Sequence, residues 1–334
     1  MSEAAQRAFD LKTKPRGSLG RLEEIAVRIA ALQEVTVPPI PAPAIVVAAA
    51  DHGVAAEGVS AYPQGVTAQM VANFVAGGAA INVLAREAGA QLVVIDAGVV
   101  TPCEQPEVRS LRFGAGTASI VRGPAMAREV AAAAVEAGRA LAAELVGNGI
   151  GIVALGEMGI GNTTSASALS AKLLPAEPAQ VCGRGTGLDD AGLARKVEVV
   201  ASALAVNDVA ADDPLGVLAA LGGFEIALLV GVILGCREER VPVLLDGFIT
   251  GASALVATRL EPGAIDALIA AHRSPEPGHA LVLAELGLEP LLDLRLRLGE
   301  GSGAALALPI VRSSLALLAD MASFDHAGVT DAGR

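Results

Sequence analysis

A glutamate between glycines, Glu300, is the residue whose surroundings most strongly suggest chemistry. It lies in the segment Arg297-Leu298-Gly299-Glu300-Gly301-Ser302-Gly303, which leads into an apolar run. Glycine permits backbone conformations that let a ligand approach the main chain. Ser302 or Gly303 is suited to cap a helix there, whose free N–H groups and positive dipole end would lie beside the carboxylate. The segment predicts either a carboxylate that acts as a base or orients a cation, or a glycine-rich turn with a solvated glutamate.

A second glycine loop, Gly156-Glu157-Met158-Gly159-Ile160-Gly161-Asn162-Thr163-Thr164-Ser165, follows an apolar run and opens a helix. It has the G-x-x-x-x-G spacing of a P-loop, but Asn162 stands where the phosphate-binding lysine would be. That difference argues against nucleoside triphosphate hydrolysis. The loop's N–H groups suit a single phosphate or carboxylate, and the alternative is that Asn162 or Thr163 only caps the helix.

A third glycine loop, Gly183-Arg184-Gly185-Thr186-Gly187-Leu188-Asp189-Asp190, precedes a predicted helix that carries Lys196. Its G-x-G-x-G pattern differs from the dinucleotide fingerprint and does not directly follow a strand, so NAD binding is weakly supported. Lysine is rare in the chain, at positions 12, 14, 172 and 196 only. Lys196 is interpreted either as a phosphate contact or as part of a solvated helix face.

Apolar runs of strand length alternate with helical segments along the chain. The predicted strands are 44–50, 91–95, 151–155, 241–245 and 267–271, and the predicted helices include 21–33, 67–86, 125–145 and 189–207. Near-continuous apolar strands indicate a parallel sheet covered on both faces, so the pattern predicts a doubly wound, mainly parallel α/β fold. Four of these strands end in an acid: Asp51, Asp96, Glu157 and Asp246. Ligands of such sheets bind beyond the carboxyl ends of the strands.

Both chain ends are expected to form a small helical domain, from residues 1–40 and 304–334, beside a Rossmann-like α/β domain of residues 41–303. Prolines at 38, 39, 41 and 43 predict a stiff linker between them. The last long helix, 304–324, is expected to bend or break near Pro309, because proline removes a backbone donor.

Composition excludes several classes of function. A net charge of −12 argues against general binding to nucleic acid or to an anionic membrane. Cys103, Cys182 and Cys236 have no CxxC spacing, and the polar N-terminus lacks an apolar signal region, so a cytoplasmic protein is expected. The apolar segment 226–236 is too short to span a membrane. Asp51-His52-Gly53 suggests at first a metal or acid–base pair, but four histidines without H-x-x-x-H spacing predict no metal site.

Together these segments resemble the nicotinate-nucleotide–dimethylbenzimidazole phosphoribosyltransferase family. The similarity extends in family order over nearly the whole chain and is weakest at about residues 101–146. The matching segments are KPRGSLGRLE (14–23), ADHGV (50–54), GEMGIGNTT (156–164), RKVEVV (195–200), GGF (222–224), PVLLDGF (242–248) and RLGEGSGAALA (297–307).

The resemblance implies transfer of phosphoribose from nicotinate mononucleotide to dimethylbenzimidazole, in a homodimer that needs no metal or other cofactor. It implies that Glu300 is the general base and that Glu157 and Lys196 are functional. The nucleotide and base would be bound among Gly159, Gly161, Asn162, Thr163, Thr164, Gly183, Arg184, Gly185, Asp246, Ser274, Gly299, Gly301 and Gly303.

The sequence leaves open which base is accepted and whether the protein is a catalyst. Tyr62, the chain's only tyrosine, is a candidate to stack on the base because its ring is aromatic. It lies in a segment that varies within the family, so another benzimidazole or a purine could be the accepted base. The rival function is a non-catalytic carrier or sensor of a nucleotide or benzimidazole. A Rossmann dehydrogenase is a weaker rival, because the glycine fingerprint is imperfect.

Overall fold

Six parallel strands form one sheet in a computed structural model that describes residues 2–331. The spatial order is β3-β2-β1-β4-β5-β6. Strands β1 to β3 are added toward one edge of the sheet and β4 to β6 toward the other, so the switch point lies between β1 and β4. This confirms the predicted doubly wound, Rossmann-like α/β fold, and it places the crevice of such sheets outside the ends of β1 and β4. The strands are β1 (Ala42–Ala50), β2 (Gln91–Gly98), β3 (Val108–Ser110), β4 (Ile150–Met158), β5 (Val243–Leu245) and β6 (Leu268–Ala270).

The central strand β1 shows why these sequences form strands. Its residues 43–50 are all buried, so the near-continuous apolar run is covered on both faces, as a parallel sheet requires. Val46 pairs with Val93 of β2 on one side and with Leu155 of β4 on the other. The predicted proline linker is wrong at its end, because Pro43 lies inside β1, at a register shift in the pairing with β4.

Helices cover both faces of the sheet and build two hydrophobic cores. One core joins the sheet to α5, α6, α9, α10 and α11, and the other joins it to α1–α4 and α13. The helices are α1 (Ser2–Asp10), α2 (Arg21–Gln33), α3 (Val66–Val75), α4 (Ala80–Glu87), α5 (Arg128–Gly147), α6 (Asn162–Leu173), α7 (Pro178–Val181), α8 (Asp190–Val206), α9 (Pro214–Leu221), α10 (Phe224–Glu238), α11 (Phe248–Leu260), α12 (Pro277–Leu286), α13 (Ser302–Asp320) and α14 (Phe324–Ala327).

Some predicted boundaries differ from the structure for identifiable reasons. The expected helix 67–86 is two helices, because Gly77 adopts a left-handed conformation and the Asn82 side chain caps the Ala79 N–H. The expected break at Pro309 is absent, and α13 continues through this exposed residue. β3 was not predicted, because its sequence Val108-Arg109-Ser110 contains no apolar run.

The two chain ends lie together. The backbone of Lys12 pairs with that of Ser323, and α1, α2 and α13 pack against one another. These helices share their core with one face of the sheet. Met1 and residues 332–334, which the expected helical domain includes, lie outside the described residues.

Two stretches of the described chain, Val66–Glu87 and Ser302–Asp320, are long and apolar enough to cross a membrane by length and composition alone. The first contains the turn between α3 and α4, and more than half of the second is buried inside the protein. Both observations fit helices that pack within a globular fold.

Candidate active site

A cleft opens at the carboxyl ends of β4, β5 and β6, beside the switch point of the sheet. It lies between the start of α6, the glycine loop 183–187 and the irregular segment 296–299. The structure brings together on its walls eight of the residues that the sequence predicted for the site: Glu157, Gly159, Asn162, Thr163, Gly185, Asp246, Ser274 and Gly299.

Glu157 is the last acidic residue of β4 and is held in one orientation. Its Oε2 accepts a hydrogen bond from the Asn162 amide, and its Oε1 lies so close to Gly299 that a Cβ there would be 2.5 Å away. Burial, with further contributions from Asp246 and Glu225, raises the pKa of Glu157 to about 8 against the opposing Asn162 bond. At neutral pH this carboxyl group therefore keeps a proton, which makes it a hydrogen-bond donor toward the cleft.

Glu300 lies in a turn where three successive residues, from Gly299 to Gly301, have left-handed backbones. For a non-glycine residue this conformation is uncommon, and here it directs a 5 % exposed carboxyl group inward. The Ile81 N–H at the start of α4 donates to that carboxylate, while Oε2 is buried without a partner. Burial raises the pKa of Glu300, which the Ile81 bond opposes. Such a group accepts a proton readily, so the solvated-turn alternative is wrong.

Asp246, at the end of β5, holds the start of α13. Its Oδ1 accepts hydrogen bonds from the N–H groups of Gly303 (2.6 Å) and Ala304 (3.1 Å). These donors were expected to be free beside Glu300, and the N-cap is Gly301 rather than Ser302 or Gly303. Burial raises the pKa of Asp246. His272, 3.6 Å away, lowers it, and so do the backbone N–H groups of Gly301, Gly303 and Ala304.

Lys196 is fully buried in the wall behind the cleft, so the alternative of a solvated helix face is wrong. Its Nζ donates to Thr163 Oγ1 (2.8 Å) and to the Gly183 carbonyl oxygen (3.2 Å). Burial lowers the pKa of Lys196, and the nearby Glu276 raises it. The lysine thus connects the start of α6 to the glycine loop.

The other predicted residues support this site from outside the lining or lie away from it. Gly161 is the N-cap of α6, so Asn162 and Thr163 are not the cap, and Thr164 is buried within that helix. Arg184 pairs with Asp190 and lines a second cavity that adjoins the cleft. Tyr62 is 53 % exposed and does not line the cleft.

Among the lining residues without an assigned role in the sequence, three are ionisable: Arg297, His272 and Glu276. Arg297 is the one Lys or Arg on the described lining, and no ion pair to it is found among residues 2–331. Its position three residues before Glu300 was the feature of the sequence that could have identified it as a site residue. Glu276 gave none, because its contacts are with the distant glycine loop.

The Asp51-His52 pair proves to be structural. His52 is fully buried, with Nδ1 3.0 Å from Ser165 Oγ and Nε2 2.6 Å from Glu225 Oε1. The ring packs behind Gly159 and Gly161, so it supports the loop rather than facing the cleft. Within residues 2–331 no group of three or more His, Cys, Asp or Glu side chains could hold a metal ion.

Nearly the whole chain is similar to proteins of known function. A family described as phosphoribosyltransferase matches residues 1–329. The nicotinate-nucleotide–dimethylbenzimidazole phosphoribosyltransferase of Azotobacter vinelandii is 54 % identical over 99 % of this chain and 94 % of the relative. The enzyme of the same name from Chloroflexus aggregans is 51 % identical over 98 % and 93 %.

A solved structure is also similar to this chain over nearly its whole length. The crystal structure of CobT from Thermus thermophilus superposes with a TM-score of 0.94 at 48 % identity, covering 98 % of each chain. At this identity and coverage the likeness extends to the whole fold and not only to the sheet. The chain therefore belongs to the nicotinate-nucleotide–dimethylbenzimidazole phosphoribosyltransferase family, and it is a phosphoribosyltransferase.

Proposed function

We propose that the protein transfers the phosphoribosyl group of nicotinate mononucleotide to 5,6-dimethylbenzimidazole or a related base. The products are nicotinate and α-ribazole 5′-phosphate, with inversion at the anomeric carbon. The observation that carries this proposal is the pair of buried carboxyl groups, Glu157 on the cleft lining and Glu300 directly after the lining residue Gly299. A concave site lined by both apolar and polar residues suits a small-molecule substrate.

The reaction needs one proton acceptor. A benzimidazole nitrogen forms the new bond to the anomeric carbon while the bond to the pyridinium nitrogen breaks, and nicotinate leaves with that electron pair. The leaving group needs no proton, but the attacking base must lose the proton on its other nitrogen. Glu300 takes that proton, because its Oε2 is buried and unpartnered and its pKa is raised by burial.

Glu157 binds the ribose in this proposal. With a pKa of about 8 it is protonated before the substrate binds, and so it donates to a ribose hydroxyl or ring oxygen. The cationic nicotinate ring and the positive charge that develops at the anomeric carbon favour the carboxylate form of Glu157, whose proton is released to solvent. The carboxylate then stabilises the transition state electrostatically.

The phosphate lies at the opposite end, between the start of α6 and the glycine loop. Lys196 acts there through Thr163, whose hydroxyl accepts its hydrogen bond at 2.8 Å. The Gly185 and Ser274 walls and the unpaired Arg297 complete this end. Backbone N–H groups at a helix start and an arginine are the groups that bind phosphate in proteins.

Nicotinate release from nicotinate mononucleotide, followed by chromatography with and without dimethylbenzimidazole, tests the proposal. Release that requires the base and yields an equal amount of a new nucleotide is the expected result. Binding of either substrate without release would instead favour the carrier or sensor, which the names of the relatives above do not suggest. Varying the base in the same assay measures its specificity.

Three further features are part of the proposal. The protein works as a homodimer, since the apolar stretch 66–87 is only about a third buried within one copy. It works in the cytoplasm, since all three cysteines are free. Residues 1–40 and 304–334 act as one helical unit beside the α/β domain 41–303. Sedimentation at several protein concentrations measures the oligomeric state directly.

A further inference from the structure

The carboxylate of Glu276 fixes the glycine loop 183–187, which has no helix or strand of its own. The Gly185 N–H donates to Glu276 Oε1 at 2.8 Å. The same carboxylate lies flat on Gly183, where a Cβ would be 2.2 Å from Oε2. A side chain at position 183 would displace this carboxylate. One side chain therefore sets the position of two residues of the loop, one of which lines the cleft.

Glu276 and Lys196 meet at the same loop residue, because the Glu276 carboxylate lies against Gly183 and the Lys196 Nζ donates to the Gly183 carbonyl oxygen. The buried Lys196 Nζ donates only to neutral oxygens, those of Thr163 and Gly183. Two ionisable groups of the described chain act on it, Glu276 and Cys182. Burial raises the pKa of the Cys182 thiol, so that group stays neutral, and Glu276 alone counters the desolvation that lowers the pKa of Lys196.

Glu276 lies at the N-terminal end of a helix. It is the N-cap residue of α12, where the helix dipole favours a negative side chain. Its Oε2 is buried without a partner and lies where the cleft meets the second cavity. A buried polar atom without a partner calls for an explanation, and a role in holding the adjacent cation supplies one.

We propose that Glu276 is a positioning residue for nucleotide binding, which holds the glycine loop against the phosphate end of the cleft and places a carboxylate beside Lys196. This inference rests on the proposed function. Glu276 need not touch the substrate, since it acts through Gly185 and Lys196.

Two substitutions separate the two parts of this role. Glu276→Gln keeps an oxygen for the Gly185 N–H but removes the charge, whereas Glu276→Ala removes both. Glu285→Gln, an exposed position in the same helix that pairs with Arg259, is the matched control. All three proteins are compared with the unmodified enzyme by thermal unfolding, so that a folding defect is recognised.

Titration of isotope-labelled lysine by NMR reads the charge directly, because the chain has only four lysines. We expect the pKa of Lys196 to fall by about one unit in Glu276→Gln, an effect of the size that one nearby charge produces. The KM for nicotinate mononucleotide should then rise about tenfold at high pH and stay unchanged at low pH, where Lys196 is charged in both proteins. Glu276→Ala should raise KM at every pH.

Two results would overturn the inference. An unchanged Lys196 titration in Glu276→Gln would remove the charge coupling. A lower KM for nicotinate mononucleotide in that variant would mean that the carboxylate competes with the phosphate instead of preparing its site. If the unmodified protein released no nicotinate, the proposed function would fail, and the lysine titration together with calorimetry of inorganic phosphate binding would still decide the role of Glu276.

Discussion

Replacing Glu157 by glutamine should stabilise the protein in a pH-dependent way. In the folded state burial raises the pKa of this carboxyl group from 4.5 to about 8. A raised pKa means that the folded protein holds a proton which the unfolded chain releases, so stability is fully present below the unfolded pKa and falls as pH rises toward the folded one. Glutamine keeps an oxygen for Asn162 and never ionises, which removes this loss.

The magnitude follows from the width of that pH window. Holding the proton from pH 4.5 up to about pH 7 costs the folded state about 3 kcal/mol, at about 1.4 kcal/mol per pH unit. The unfolding entropy is about 2 cal/mol/K per residue, so for 334 residues this free energy corresponds to about 4 °C in Tm. The difference in Tm between Glu157→Gln and the unmodified protein should therefore widen by about 4 °C over the window.

Differential scanning calorimetry at a series of pH values measures this difference. Other titrating groups, such as Asp246 and Glu300, are present in both proteins and largely cancel. Glu87→Gln, at an exposed helical position, is the control and should give a constant difference. A Tm difference that is independent of pH, or one that shifts in favour of Glu157 as pH rises, would refute the argument. The stabilised variant should release nicotinate more slowly, because an amide cannot ionise to balance charge at the anomeric carbon.

Three further substitutions test other parts of the site and fold. Glu300→Gln should lower the single-turnover rate by about 10²- to 10⁴-fold, the usual contribution of a general base, and an undiminished rate would exclude that role. Arg297→Ala should raise the KM for nicotinate mononucleotide by about 10- to 100-fold through loss of a charged hydrogen bond, whereas Arg295→Ala, outside the cleft lining, should not. Lys14→Met leaves Glu23 buried without its 2.7 Å ion pair and should lower the free energy of unfolding by about 3 kcal/mol in denaturant titration; an unchanged value would mean that Glu23 is otherwise compensated.

The fold was largely predictable because its signals are local. The apolar run of β1 and the acid that follows it are contiguous in sequence, and the same holds for β2, β4 and β5. Parallel strands bring such ends to one edge, which is why Glu157 and Asp246 meet on the cleft. Strand β3 was not predicted, because it is defined by its pairing with β2. The turn between α3 and α4 was not predicted, because it depends on capping by a side chain.

The candidate site was predictable in its residues but not in their contacts. The glycine-flanked Glu300 is visible in the sequence, whereas its hydrogen bond from Ile81 depends on how α4 packs against the turn. Asp246 was expected to bind substrate, and its hydrogen bonds are to the start of α13. Glu276 meets the loop at Gly185, 91 residues away, and no pattern of spacing encodes such a contact.

The distribution of charge explains how an acidic protein accommodates an anionic nucleotide. The carboxyl groups of Glu157, Asp246 and Glu300 interact with one another at one end of the site. The buried cation Lys196 lies at the other end, and the start of α6 joins the two, since Asn162 binds Glu157 and the next residue, Thr163, binds the lysine. A nucleotide with a cationic ring and an anionic phosphate fits this polarity in one direction only. In the proposed function the reverse orientation would place the phosphate among three carboxyl groups, so this separation of charge favours the orientation that brings the anomeric carbon toward Glu300.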